Sequence, residues 1–271
     1  MKYDLIFSDF DGTLLRDDLT VGQRSADAIK DYIARGGRFV VCTGRMSSSM
    51  DPWKEFLGID KQRIAVAGFQ GTHIADTSGR LLYCDYVNPD TVYKILKKGE
   101  ELQVYTHFYD ADTVYVREKN EINLEYARIT GAPLKVVGNL ADYISAHRDL
   151  KVIKIMVVVE ASRADAVMAE YDGMGLEGVQ FYMSSDIFLE FVSSVGGKGA
   201  GLMKVAELLG VPMSRTIAVG DNQNDISMIK AAGLGIAVAN AREEVKKAAD
   251  YVTVSNNDDA IAEIIEKFCG D

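Results

Sequence analysis

Leu5-Ile6-Phe7-Ser8-Asp9-Phe10-Asp11-Gly12-Thr13 is an apolar run that passes directly into acidic residues. The run predicts a short strand buried in a parallel sheet, because such strands are covered on both faces. Residues two apart in an extended chain point to the same side, so Asp9 and Asp11 are expected close together at the strand end. Two such carboxylates repel unless a cation or a proton lies between them. The pattern favours one Asp as nucleophile and the other as acid/base, against the alternative of two surface acids in a turn.

Strand and helix signals alternate on both sides of the middle of the chain. The predicted strands are residues 39–42, 64–67, 216–219 and 234–238, and the main predicted helices are residues 21–35, 198–209 and 257–268. This alternation predicts an α/β fold, in which helices cover both faces of a parallel sheet. Both ends of the chain would therefore build one core domain, residues 1–83 and 187–271.

The middle of the chain has a different pattern. Residues 105–116 indicate a hairpin, residues 119–131 and 161–171 indicate helices, and residues 151–160 and 180–192 indicate strands. This mixture predicts an α+β module with an antiparallel sheet. We expect it to be an inserted domain at residues 84–186.

Composition excludes several classes of protein. The net charge of −10 argues against a nucleic-acid partner, which usually requires a basic surface. Three widely spaced cysteines and three histidines without a metal-binding spacing argue against a disulfide framework or a zinc site. The beginning of the chain lacks the long apolar stretch of a signal peptide, and no apolar run approaches the ~20 residues of a membrane helix. The sequence predicts a cytoplasmic protein without membrane association and does not indicate an oligomeric state.

Thr43-Gly44-Arg45 follows the second predicted strand and precedes a predicted helix. A hydroxyl group and backbone N–H groups at such a position can hold a phosphate oxygen. The alternative is an ordinary strand-to-helix turn. The acidic pair at the end of the first strand makes the phosphate-binding interpretation the favoured one.

Lys198 follows Gly196-Gly197 at the start of a predicted helix. A cation is unfavourable beside the positive end of the helix dipole, so its position suggests a function, such as neutralising a phosphate and the charge of the nucleophile. The alternative is a solvated lysine in a loop.

Gly220-Asp221-Asn222-Gln223-Asn224-Asp225 follows another predicted strand. Open α/β sheets bind ligands beyond the carboxyl ends of their strands, so Asp221 is the best second metal carboxylate. Asn224 is a candidate phosphate ligand, and Asp225 is expected to orient Lys198 or water molecules. The alternative is that these residues only cap the next helix.

Together these segments resemble the haloacid dehalogenase superfamily and, within it, the Cof-type (subclass IIB) phosphatases. Residues 9–13 resemble the first motif of that superfamily, residues 43–45 the second, Lys198 the third and residues 220–225 the fourth. One departure is Gln70-Gly71, where many members have Asn-Gly. The resemblance implies a Rossmann-like core with an inserted α+β cap at residues 84–186 that selects the substrate.

The resemblance also implies a mechanism. Asp9 would attack phosphorus and form an aspartyl-phosphate, and Asp11 would protonate the leaving oxygen and then activate water. Asp9, the backbone carbonyl of Asp11 and Asp221 would hold Mg²⁺. The phosphoryl group would be held by Thr43, Gly44, Lys198 and Asn224.

The implied substrates are small phosphate monoesters, with sugar phosphates foremost. Two alternatives use the same residues differently. A phosphosugar mutase of the phosphomannomutase type would return the phosphoryl group to a sugar and would require a sugar bisphosphate. A non-catalytic phosphometabolite-binding regulator would be expected to lose a catalytic carboxylate, whereas Asp9, Asp11 and Asp221 are all present.

Overall fold

The structure is a computed structural model that describes residues 1–270. The chain forms two units, one comprising Met1–Tyr83 and the chain from Gly197 onward, the other comprising Cys84–Gly196. The expected boundary between residues 186 and 187 is therefore placed too early. The strand that follows it pairs with two strands of the second unit, and this pairing moves the boundary to Gly196.

The strands of the described chain are short and occur along its whole length. They are β1 (Leu5–Asp9), β2 (Arg38–Cys42), β3 (Val66–Gly68), β4 (His73–Ala75), β5 (Leu81–Cys84), β6 (Tyr105–Tyr109), β7 (Val114–Val116), β8 (Leu134–Val136), β9 (Lys154–Val158), β10 (Val179–Met183), β11 (Phe188–Ser193), β12 (Thr216–Gly220), β13 (Leu234–Ala237) and β14 (Tyr251–Val252).

The α-helices separate most of these strands. They are α1 (Gln23–Ala34), α2 (Asp51–Leu57), α3 (Pro89–Glu101), α4 (Glu121–Thr130), α5 (Leu140–Ala146), α6 (Ala164–Asp172), α7 (Lys198–Leu209), α8 (Ile226–Ala231), α9 (Glu243–Ala248) and α10 (Ala260–Phe268). Within residues 1–270, none of these helices combines the length and the apolar character that crossing a membrane requires.

The sheet of the first unit has the strand order β14-β13-β12-β1-β2-β3-β4-β5. Adjacent strands from β14 to β3 are parallel, and β4 is antiparallel to β3. Alternate residues of β1 face opposite helical layers: Ile6 packs with side chains of α1 and α10, and Leu5 and Phe7 pack with side chains of α7. The predicted α/β core is confirmed.

β1 lies at the point where the direction of strand connection reverses. The chain continues from β1 to β2 on one side, whereas β12 pairs with its other side. The residues after these three parallel strands are therefore neighbours at one edge. Open α/β sheets bind ligands at such an edge.

The sheet of the second unit has the order β10-β11-β9-β6-β7-β8 and is antiparallel except for the β7–β8 pair. One of its faces packs against α3, α5 and α6. The expected single strand over residues 180–192 is two strands, β10 and β11. They form a hairpin that is closed where the Ser184 amide donates to the Phe188 carbonyl at 2.9 Å.

Candidate active site

Three parallel strands bring the predicted carboxylates and the predicted threonine to one edge of the sheet. Asp9 is the last residue of β1 and pairs in register with Cys42, the residue before Thr43. Asp221 directly follows β12, which pairs with the other side of β1. The site is therefore built by sheet topology from parts of the chain that are far apart in sequence.

Lys198 is the first residue of α7, and its ammonium group joins two carboxylates. It donates to Oδ1 of Asp9 and to Oδ1 of Asp225, each at 2.5 Å. All three side chains are almost completely buried. Charge-assisted hydrogen bonds of this length are strong, and a buried ammonium requires them because it has lost its hydration.

Asp225 uses both carboxylate oxygens for protein contacts. While Oδ1 accepts from Lys198, Oδ2 accepts from the backbone amides of Asp221 and Asn222 at 2.8 and 2.9 Å. The fully buried side chain thus fixes the loop after β12 and the direction of Lys198 together.

Asp221 is oriented from the first strand–turn segment. Its Oδ1 accepts from the Thr13 hydroxyl at 2.8 Å. Gly12, with φ of +77°, lies so close that a Cβ there would be 2.9 Å from Oδ2 of Asp221. A side chain at residue 12 would therefore be strained and would also press on this carboxylate.

The electrostatics of the group favour a divalent cation. Oxygens of Asp9, Asp221 and Asp225 lie within 4.8 Å of one another, and Lys198 compensates only part of their charge. Burial raises the pKa of Asp9 well above its usual value; Lys198 opposes the rise, and neighbouring carboxylates add to it. Burial also raises the pKa of Asp221. Mg²⁺ prefers oxygen ligands and would relieve this excess of negative charge, so the residues present fit the ion.

The carboxylate of Asp11 lies outside the group formed by Asp9, Asp221 and Asp225. It is about half exposed and forms an ion pair with Arg45, which donates to both of its oxygens. It does not belong to the cluster of metal-competent carboxylates found among the described residues. Residues two apart at the end of β1 thus have different partners, and Phe10 between them is fully buried.

Gln70 lies beside Thr43, Gly44 and Asn224, although the sequence analysis did not assign it to the site. The backbone amide of Gln70 donates to the Thr43 carbonyl at 2.8 Å. The side-chain Oε1 of Gln70 accepts from Nδ2 of Asn224 at 3.0 Å. A Cβ on Gly44 would lie 2.5 Å from Nε2 of Gln70. Among the residues that the structure describes, Oδ1 of Asn224 is buried and has no hydrogen-bond partner.

The structure adds three residues that had no predicted role. Thr13 orients Asp221, Arg45 binds Asp11, and Gln70 connects Asn224 with the turn after β2. Arg45 and Thr13 lie inside recognised motifs, so a signal for them existed. The signal for Gln70 was weaker, namely its position where many relatives have Asn.

Comparisons with known proteins point to one family. A model of the family described as haloacid dehalogenase-like hydrolase matches residues 6–265. Phosphatase YwpJ of Bacillus subtilis is 29% identical over 285 residues, covering 97% of this chain and 98% of the relative. The 5-amino-6-(5-phospho-D-ribitylamino)uracil phosphatase YcsE of the same organism is 28% identical over 262 residues, covering 96% and 94%. A crystal structure of a haloacid dehalogenase-like hydrolase from Bacteroides thetaiotaomicron superposes with a TM-score of 0.86 at 26% identity, covering 98% of this chain and 99% of the other.

Proposed function

The chain belongs to the haloacid dehalogenase-like hydrolases and is a phosphatase, and on this premise we propose that Asp9 is the nucleophile in Mg²⁺-dependent hydrolysis of small phosphate monoesters, with sugar phosphates foremost. The observation that carries the proposal is the buried contact of Asp9 with Lys198 at the carboxyl edge of the sheet. A lysine held there can neutralise both the nucleophile and an incoming phosphoryl group.

In the first step, an Asp9 oxygen attacks phosphorus and the ester P–O bond breaks. The leaving oxygen takes a proton from the Asp11 carboxyl group, and an aspartyl-phosphate remains on Asp9. Division of the reaction in this way replaces one difficult displacement by two easier ones.

In the second step, Asp11 takes a proton from water, and the water oxygen attacks the phosphorus of the aspartyl-phosphate. The bond to Asp9 breaks, inorganic phosphate leaves and Asp11 is protonated again. Asp11 is suited to serve both steps because its side chain is partly exposed, whereas that of Asp9 is not.

Asp9, Asp221 and the backbone carbonyl of Asp11 are the proposed Mg²⁺ ligands. Bound Mg²⁺ would supply charge stabilisation for the phosphoryl oxygens. Thr13 supports this assignment because it fixes the orientation of Asp221. We assign to Asp225 the task of holding Lys198, because both of its oxygens already accept hydrogen bonds.

The phosphoryl group is proposed to bind Thr43, Gly44, Lys198 and Asn224. The second N–H of the Asn224 amide can donate to a phosphoryl oxygen, and its buried Oδ1, without a partner among residues 1–270, can accept from a water molecule. Residues 84–196 are proposed to act as the cap that selects the leaving group. Closure of such a cap would exclude bulk water from the aspartyl-phosphate.

The deciding experiment measures phosphate release from a panel of monoesters with Mg²⁺ and again with EDTA. The panel contains hexose and pentose phosphates, pyridoxal phosphate, flavin mononucleotide, 5-amino-6-(5-phospho-D-ribitylamino)uracil and p-nitrophenyl phosphate. We expect turnover only with Mg²⁺, and Asp9→Asn should reduce it by roughly three orders of magnitude or more, as nucleophile removal does in other covalent mechanisms. Substantial Mg²⁺-dependent activity in Asp9→Asn would refute the assignment.

A crystal grown with beryllium trifluoride and Mg²⁺ tests the same residue without turnover. Beryllium trifluoride should bind one Asp9 oxygen as an aspartyl-phosphate mimic, and its attachment to another carboxylate would contradict the model. Turnover that requires a catalytic amount of sugar bisphosphate would instead identify a mutase.

A further inference from the structure

The turn after β3, residues 69–71, passes through three successive residues in the left-handed backbone region. The φ angles are +50° for Phe69, +61° for Gln70 and +85° for Gly71. Glycine adopts this conformation readily, whereas residues with a side chain adopt it at an energetic cost. Such strain persists where the surrounding structure enforces it, and it is frequent at functional sites. Two strained residues beside the predicted phosphate-binding turn therefore require an explanation.

The backbone of the strained turn is held by the turn after β2. The Phe69 amide donates to the Arg45 carbonyl at 2.9 Å, and the Gln70 amide donates to the Thr43 carbonyl at 2.8 Å. The three residues of the strained turn are buried, so these amides cannot bind bulk water instead. The two hydrogen bonds satisfy the buried donors and stabilise the strained backbone.

The other side of the strained turn lies against α7. A Cβ on Gly71 would be 2.9 Å from the Cα of Gly201, and a Cβ on Gly201 would be 2.7 Å from the Cα of Gly71. Two backbones in such close contact leave no space for the turn to shift toward the helix. The strained turn therefore lies between the turn after β2 and the helix that begins with Lys198, two segments proposed to hold the phosphoryl group.

The side chain of Gln70 extends from the strained turn to Asn224. Gln70 is almost completely buried, and its Oε1 accepts from Nδ2 of Asn224 at 3.0 Å. This acceptor fixes the orientation of the Asn224 amide, because the reversed amide would bring two oxygens together. Nε2 of Gln70 lies beside Gly44, on which a Cβ would be only 2.5 Å away. One side chain thus contacts two of the proposed phosphate-binding residues.

We propose that Gln70 is a positioning residue for phosphate binding, which acts by fixing the amide orientation of Asn224. This inference rests on the proposed function, which assigns Asn224 to the phosphoryl group. The role accounts for the strain, because a change of φ at residue 70 to a negative value would point the side chain in another direction. It also accounts for Gly44, since a side chain there would displace the Gln70 amide.

Gln70→Met is the main variant, because methionine has a similar length, lacks the amide and meets the same backbone strain. We expect the Ki of inorganic phosphate, measured as a competitive inhibitor with Mg²⁺, to rise roughly tenfold, a change on the scale of one hydrogen bond. The loss in kcat/KM should be similar for every ester in the panel, because all of them contain the phosphoryl group. An unchanged Ki in Gln70→Met would overturn the inference.

Gln62→Met is the matched control in the same unit. Gln62 also uses both ends of its amide, accepting from the Phe39 amide at 2.9 Å and donating to the Phe39 carbonyl at 2.8 Å. The same substitution there should lower the midpoint of urea unfolding but leave the Ki of phosphate within about twofold. If Gln62→Met raises this Ki as much as Gln70→Met does, the effect comes from lost stability and the inference is wrong.

A double-mutant cycle with Asn224→Ala tests whether Gln70 acts through Asn224. In the Asn224→Ala background, Gln70→Met should change the Ki of phosphate by less than about twofold. Independent, additive losses would contradict the proposed route through Asn224.

The cycle also separates this inference from the proposed function. If Asn224→Ala weakens phosphate binding while Gln70→Met does not, only the assignment of Gln70 fails. If Asn224→Ala leaves the Ki unchanged, Asn224 is not a phosphate ligand, and the inference that rests on it falls as well.

The wild-type protein provides a second measurement in case Gln70→Met does not fold. In a crystal with beryllium trifluoride and Mg²⁺, Nδ2 of Asn224 should lie within hydrogen-bond distance of both Oε1 of Gln70 and a fluorine atom. An Asn224 amide that contacts the fluoride after leaving Gln70 would overturn the inference.

Discussion

Arg45 holds both carboxylate oxygens of Asp11, with Nε 3.0 Å from Oδ2 and a terminal nitrogen 2.5 Å from Oδ1. The guanidinium also lies 5.5 Å from the centroid of the Phe10 ring, so its position is set from two sides. A bidentate pair fixes direction as well as distance. Arg45 thus orients the side chain to which proton transfer is assigned, and this contact must loosen when Asp11 acts as the proton donor.

Arg45→Lys retains the charge but removes the planar fork. We expect kcat to fall about tenfold for alkyl phosphates, whose leaving oxygen needs the proton, and clearly less for p-nitrophenyl phosphate. The measurement is kcat for both substrates, and Arg24→Lys, at an exposed pair with Glu266 in the same unit, is the control. Equal effects on both substrates would assign Arg45 to phosphate binding instead.

Asp11→Asn removes the proton carrier and leaves the nucleophile in place. The loss of kcat should grow with the pKa of the leaving alcohol, reaching about a hundredfold or more for alkyl phosphates, because general acid catalysis contributes on this scale. A series of substituted phenyl phosphates measures the dependence. A uniform loss across the series would exclude Asp11 as the acid.

Asp225→Asn weakens one of the two carboxylate contacts of the buried Lys198 ammonium. We expect the free energy of unfolding to fall by about 2–4 kcal/mol, because the Asn amide nitrogen must face either the Lys198 ammonium or the backbone amides of the next loop, and buried donors then lose their acceptor. Urea denaturation measures this change. Glu207→Gln, at the exposed i,i+3 pair with Lys204 on α7, is the control and should stay within about 0.5 kcal/mol. Comparable effects of the two substitutions would contradict the structural role of Asp225.

The burial of His107 predicts that the free energy of unfolding depends on pH. Its pKa is lowered from 6.5 to about 3 by burial, so below about pH 6.5 the unfolded chain binds a proton that the folded chain does not. Stability is therefore lost as the pH falls from about 6.5 toward 3. Between pH 7 and pH 5 the loss should be about 2 kcal/mol larger than in His107→Gln. Urea denaturation of both proteins at the two pH values measures it, and identical losses would contradict a buried neutral imidazole.

The secondary structure predicted from the sequence is confirmed where the signal was local. Asp9 and Asp221 follow apolar runs, and the strand ends that place them depend on residues close in the chain. Lys198 begins α7 as expected, since the glycines before it mark the helix start. The roles assigned to these residues remain proposals to be tested by the variants above.

Other features depend on contacts between distant segments, which local patterns do not specify. Arg45 pairs with Asp11 and lies over the Phe10 ring, and both contacts join residues more than 30 positions apart in the chain. Gln70 reaches Asn224 only because the turns after β3 and β12 come together. The predicted strand over residues 180–192 already extended past the boundary drawn at residue 186, and the pairing of β11 with β9 and β10 places that boundary at Gly196.

The position of β1 between β2 and β12 has a consequence for synthesis on the ribosome. β2 follows β1 closely, but β12 begins at Thr216, so one edge of β1 has no native partner until most of the chain has been made. Exposed apolar edges of this kind promote aggregation, and pairing across a long sequence separation is slow. The first unit is therefore expected to depend on chaperone protection during translation. Asp9 also remains without its partner Lys198 until α7 has been synthesised.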